Sequence, residues 1–99
     1  MVLDLRGLNP APVTPFTEDG DVDYAAIQRL GSWLGSIEGV KSLVVLGHAG
    51  EGTFLTEKEQ LDVIRAFRDS VNDELPIIAG ITKEGNLTAA LEALSLIHI

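Results

Sequence analysis

Apolar positions along the chain change period several times, and each change marks an element. From Asp23 onward, Ile27, Leu30, Leu34 and Ile37 recur at spacings of 3, 4 and 3, which puts them on one face of a helix. Asp21 or Asp23 stands where a carboxylate caps that helix and meets the positive end of its dipole, and Glu38-Gly39 closes it. Ser42-Leu43-Val44-Val45-Leu46 follows as an unalternated run, the form of a parallel strand buried on both faces. Thr56-Glu57-Lys58-Glu59 has the capping-box pattern. Leu61, Ile64, Phe67, Arg68 and Val71 carry a second helix from it, with the arginine stem packed at the margin. Pro76-Ile77-Ile78-Ala79-Gly80 reads as another buried strand, and Asn86 caps a third helix through Leu87, Leu91 and Leu94. Ahead of these elements, Leu8 to Pro15 is too rich in proline for a helix and predicts a short extended segment with irregular ends. Thr17-Glu18-Asp19-Gly20 then makes a turn.

Three strands interleaved with three helices predict an α/β fold with a parallel sheet and right-handed crossovers. Val13, Val44 and Ile78 are 31 and 34 residues apart. Eight such steps make about 250 residues, the size of a (β/α)8 TIM barrel, although a doubly wound sheet has similar steps. Three units cannot close a barrel, and their sheet keeps a raw edge. Either way, the expected organisation is an incomplete α/β domain over residues 1–93, running from the first strand to the start of the third helix. The last six residues, Leu94-Ser95-Leu96-Ile97-His98-Ile99, abandon the helical period. They coincide with the in-frame translation of a common transposase adaptor end. Residues 94–99 are therefore expected to be an adaptor-derived tail, and His98 carries no functional weight.

Composition narrows the function classes. The net charge of −8 argues against nucleic acid and anionic membrane as partners, since both are negative. With 45% hydrophobic residues the chain is core-forming rather than disordered. The absence of cysteine excludes a disulfide framework, a cysteine zinc site and a thiol nucleophile. The longest apolar run, Leu43–Leu46, is far below the ~18 residues of a membrane span, and no signal peptide is evident. A cytoplasmic protein without metal or cofactor is the expectation.

Candidate chemistry gathers in Gly47-His48-Ala49-Gly50-Glu51-Gly52, at the C-terminal end of a predicted parallel strand, where such folds place their sites. Glycines there allow the backbone to approach a ligand and aim successive amides at an anion. The spacing of Gly47, Gly50 and Gly52 does not fit a dinucleotide loop, no Lys-Ser/Thr follows, and Glu51 repels phosphate. The plain alternative is a glycine-rich turn with a buried Glu51. Thr14, Thr53 and Thr82 lie near strand ends or this loop. Arg65, Arg68, Asp69, Asp73 and Glu74 read as a solvated helix side, and Trp33 as packing.

Pro12-Val13-Thr14-Pro15-Phe16, Gly47-His48-Ala49-Gly50-Glu51, Leu55-Thr56 with Glu59, and Pro76-Ile77-Ile78-Ala79-Gly80 together resemble, in order and spacing, the dihydrodipicolinate synthase and N-acetylneuraminate lyase family. The resemblance runs from Leu8 to about Ala93. It implies a (β/α)8 barrel of class I aldolases and lyases that bind pyruvate or a related 2-oxo acid as a lysine Schiff base, usually as dimers or tetramers. The Schiff-base lysine and catalytic tyrosine of the family lie beyond this chain, so Lys41, Lys58 and Lys83 are not candidates. By resemblance, the amides of His48 and Ala49 hold the substrate carboxylate, with Gly47 and Gly50 beside them. The synthase has two threonines, and the sialic acid lyase Ser-Thr, where this chain has His48-Ala49. Histidine there is a candidate proton relay. The change points away from lysine-biosynthetic synthase activity and toward a sugar-acid or hydroxy-2-oxo-acid aldolase or dehydratase. A barrel-type binding or regulatory protein that has lost its lysine is the other reading.

Overall fold

The computed structural model describes residues 3–81. The third helix expected from Asn86, together with Thr82, Lys83, His98 and the 94–99 tail, lies outside the described residues. Helix α1 spans Tyr24–Gly35, and Asp23 rather than Asp21 caps it, its carboxylate accepting from the Ala26 amide at 3.0 Å. The helix ends at Gly35, short of the expected Glu38-Gly39. Ser36 intervenes: its amide and hydroxyl both donate to the Trp33 carbonyl, at 3.1 and 2.6 Å. Gly39 then turns the chain with a φ of 91°, a conformation that favours glycine.

Strand β1, Leu43–Val45, pairs in parallel with β2, Ile77–Ala79, with Val44 opposite Ile78. The flanking Ser42 and Leu46 are buried as well, as the unalternated run predicts. The segment around Val13, expected as a first strand, is not one. It lies along the other side of β1 and lends it only scattered bonds: Lys41 N donates to Leu8 O at 2.7 Å and Val44 N to Pro10 O at 2.8 Å. Pro10, Pro12 and Pro15 have no amide to return, so no ladder forms. β1 thus runs between β2, its one strand partner in the described sheet, and the proline-rich segment.

Helix α2, Glu57–Ser70, opens on the expected capping box: Glu59 N donates to Thr56 Oγ1 at 3.1 Å, and Thr56 N to Glu59 Oε1 at 2.8 Å. It packs on α1 where Gly31 is buried beside Phe67, and a β-carbon at Gly31 would stand 3.2 Å from the Phe67 ring. Ile27, Leu43, Val45, Leu46, Val63 and Phe67 form the fully enclosed centre of the core. One expectation about the surface changes: Trp33 is 62% exposed on α1 rather than packed. Arg68 is half-buried, as a stem packed at the helix margin predicts, and donates to the Asn72 carbonyl at 2.6 Å, while Arg65, Asp69, Asp73 and Glu74 are exposed.

Candidate functional site

The candidate loop starts with an unusual turn. Leu46 follows β1 directly, is 2% exposed, and adopts a left-handed φ of 59°. For a bulky side chain that conformation is disfavoured by roughly 1–3 kcal/mol, and it persists only where the surroundings impose it. The surroundings here are three glycines. A β-carbon on Gly50 would lie 2.9 Å from Leu46 N, one on Gly52 2.5 Å from Leu46 O, and one on Gly80 2.6 Å from the same oxygen. The backbone of Leu46 is therefore clasped by loop and β2 at a distance only glycine permits. The loop closes with Glu51 N donating to His48 O (3.1 Å) and Gly52 N to Gly47 O (3.4 Å). Glu51, also left-handed at a φ of 56°, leads into a single 3₁₀ turn, Gly52–Phe54, and then into α2.

Two buried polar side chains reach the loop from opposite sides along the sequence. Thr14 Oγ1 donates to Gly50 O at 2.6 Å, and Gln60 Nε2 donates to Gly52 O at 2.7 Å; each residue is 3% exposed. Thr14 thus meets the expectation of a place near the loop. Gln60 is absent from the sequence-based candidates, although its position carries a signal: it shares a helical face with Val63, Ile64 and Phe67, where a polar residue needs a partner.

Accounting for the backbone bonds of the loop separates its two polarities. The carbonyls of Gly47, His48, Gly50, Glu51 and Gly52 all accept hydrogen bonds. The amides of Gly47, His48, Ala49 and Gly50 donate to none among the described residues. His48 and Ala49 sit exposed at the tip, Gly47 is half-buried, and Gly50 is buried beneath them. Five of the six loop carbonyls are thus used within the fold, while among the described residues four consecutive donors find no acceptor, two of them at the exposed tip of the loop. That arrangement suits an anion such as a carboxylate. Glu51 is exposed, unlike the buried glutamate of a plain turn, and Phe54, at the end of the 3₁₀ turn, is 82% exposed.

Lysines in the described part stand apart from the loop's chemistry. Lys58 lies on α2 with its ammonium 2.6 Å from Asp62, and that hydrogen bond holds its pKa above the ordinary lysine value, the opposite of what an amine nucleophile requires. Lys41 is exposed at the start of β1, the end away from the loop. Among the described residues, no three carboxylates or histidines converge on a metal position.

Residues 4–96 match the model of the Dihydrodipicolinate synthetase family. The chain belongs to this family. One relative, the 4-hydroxy-tetrahydrodipicolinate synthase of Salinibacter ruber, is 46% identical over 76 residues, covering 76% of this chain and 24% of that protein. Among solved structures, a dihydrodipicolinate synthase from Acinetobacter baumannii, complexed with pyruvate, superposes with a TM-score of 0.88 at 29% identity, over 96% of this chain and 32% of its own. The N-acetylneuraminate lyase from Mycoplasma synoviae superposes with a TM-score of 0.78 at 26% identity, over 93% of this chain and 33% of its own. Within the Dihydrodipicolinate synthetase family the chain thus resembles both a synthase and a lyase, and spans about a quarter to a third of their lengths. The solved neighbours are TIM barrels, in keeping with the parallel α/β arrangement described above. No helix among the described residues is long and apolar enough to cross a membrane.

Proposed function

We propose that this chain is the first part of a (β/α)8 lyase or aldolase that takes pyruvate or a related 2-oxo acid as a Schiff base on a lysine outside residues 1–99. The observation that carries the reading is the row of amides, Gly47 to Gly50, at the C-terminal end of β1, which donate to no acceptor among the described residues. In this reading the amides of His48 and Ala49 hold the substrate carboxylate. The lysine amine attacks the 2-oxo carbon and expels water, and the imine then serves as electron sink for making or breaking the adjacent C–C bond, or for dehydration of a sugar acid. His48, exposed above the cradle, relays a proton. The whole protein assembles as a dimer or tetramer.

The test is reductive trapping. Borohydride added to the whole protein with pyruvate should reduce the imine and leave a pyruvate-derived mass on one lysine beyond residue 99, with Lys41, Lys58 and Lys83 unmodified. Absence of an adduct across a panel of 2-oxo acids favours a barrel that binds or regulates without catalysis.

A further inference from the structure

Resting on the carboxylate-cradle reading, we infer that Thr14 and Gln60 are positioning residues whose buried hydrogen bonds set the direction of the His48 and Ala49 amides and so fix the protein's preference for a carboxylate. The loop contains three glycines in six residues, a composition that by itself leaves the backbone free to move. A cradle of two amides recognises an anion only if both point to one place before the ligand arrives, because ordering them on binding consumes affinity. The two turn bonds within the loop, from Glu51 to His48 and from Gly52 to Gly47, close the ring but do not attach it to the rest of the fold.

Attachment comes from elsewhere. Thr14 ties Gly50 O to the proline-rich segment on one side of β1, and Gln60 ties Gly52 O to the first turns of α2. These carbonyls flank Glu51, the left-handed residue at which the loop reverses. With both fixed, and Leu46 clasped at the entrance, the chain between Gly47 and Gly50 has both ends immobilised, and the His48 and Ala49 amides at its exposed tip donate to no acceptor among the described residues. Neither Thr14 nor Gln60 needs to touch the ligand. Both are enclosed: loss of the Thr14 hydroxyl leaves the carbonyl of buried Gly50 without its partner, while loss of the Gln60 amide leaves Gly52 O only the Leu55 amide and cuts its tie to α2.

The experiment uses the whole protein and two probes, pyruvate and its neutral amide, pyruvamide. Thr14→Val removes the hydroxyl at nearly constant volume, and Gln60→Met removes the amide at similar length. Either should weaken pyruvate binding about tenfold, equivalent to about 1.4 kcal/mol, while pyruvamide binding changes much less. Thr14→Ser should restore the preference. Should Thr14→Val and Gln60→Met both fail to fold, Thr14→Ala and Gln60→Asn, read by the same ratio, replace them. A fall in Tm with an unchanged pyruvate-to-pyruvamide ratio overturns the inference, because it marks the two residues as structural only. If the wild-type protein binds pyruvate and forms the trapped adduct, that outcome leaves the functional reading intact. If the wild-type protein binds no 2-oxo acid, the functional reading fails first and the inference falls with it.

Discussion

At His48 the proposed function gives the main chain and the side chain different tasks: the amide would hold the carboxylate, while the imidazole, at the exposed tip, would relay a proton. Loss of the imidazole should therefore leave binding nearly intact if the ring relays a proton. In the whole protein, His48→Ala should lower kcat roughly 10²–10⁴-fold with little change in KM, and His48→Ser should recover more activity than alanine. A raised KM with unaltered kcat would instead make the ring a shaping group. Beneath it, the glycines make a sharper forecast. Gly52→Ala drives a β-carbon into the Leu46 carbonyl, a backbone atom that cannot swing aside, and should cost about 1–3 kcal/mol or more in denaturant unfolding of the whole protein. Gly47→Ala, with nothing within 4 Å of the added carbon, should stay within about 0.5 kcal/mol. The motif and its position after a strand are legible in the sequence. The clasp around Leu46 is not, because a left-handed leucine has no compositional signal and depends on glycines 4, 6 and 34 residues away.

Helices read well from sequence, since periodicity and caps are local. Asp23, Thr56 and Glu59 all take the capping roles their spacing suggests. Thr56→Ala should cost about 0.5–2 kcal/mol by thermal unfolding, for it removes the acceptor of the Glu59 amide at the point where the site loop hands over to α2. Strands are harder to read. Leu43 and Val45 are buried as their composition predicts, but Val44 is only half-buried and Ile78 opposite it on β2 is 37% exposed, because the described residues leave that side of the sheet partly uncovered. The proline-rich ribbon shows how an extended segment differs from a strand: it follows β1 and fills the position of a first strand, yet its prolines withhold the donors a ladder requires. Long-range partners such as Thr14 with Gly50 depend on this ribbon being drawn against β1, which is a property of the fold and not of either segment.

Across the whole molecule, apolar surface outruns what the described elements can cover. Leu8 and Val13 are each 57% exposed along the ribbon, and the side chains of Trp33 and Phe54 stand open as well. A chain of 99 residues has a thin stability margin even when its faces are covered. Produced alone, it should show no cooperative thermal transition as a monomer and should associate or bind a hydrophobic dye. A sharp, concentration-independent monomeric unfolding curve would contradict this.

Recognition by main-chain donors also separates what evolution can alter from what it must keep. In the proposed reading the anchor is made of peptide amides and encoded by shape, so the side chains at positions 48 and 49 would be released to vary without loosening the grip on a carboxylate. A saturation library of the whole protein selected only for 2-oxo acid binding should accept many residues at His48 and Ala49 and almost none at Gly52 or Gly80. In the proposed reading the same loop is a socket: its rim at positions 48 and 49 would be refitted for a new aldehyde partner by one or two substitutions, while the glycine clasp around Leu46 behind it holds the shape.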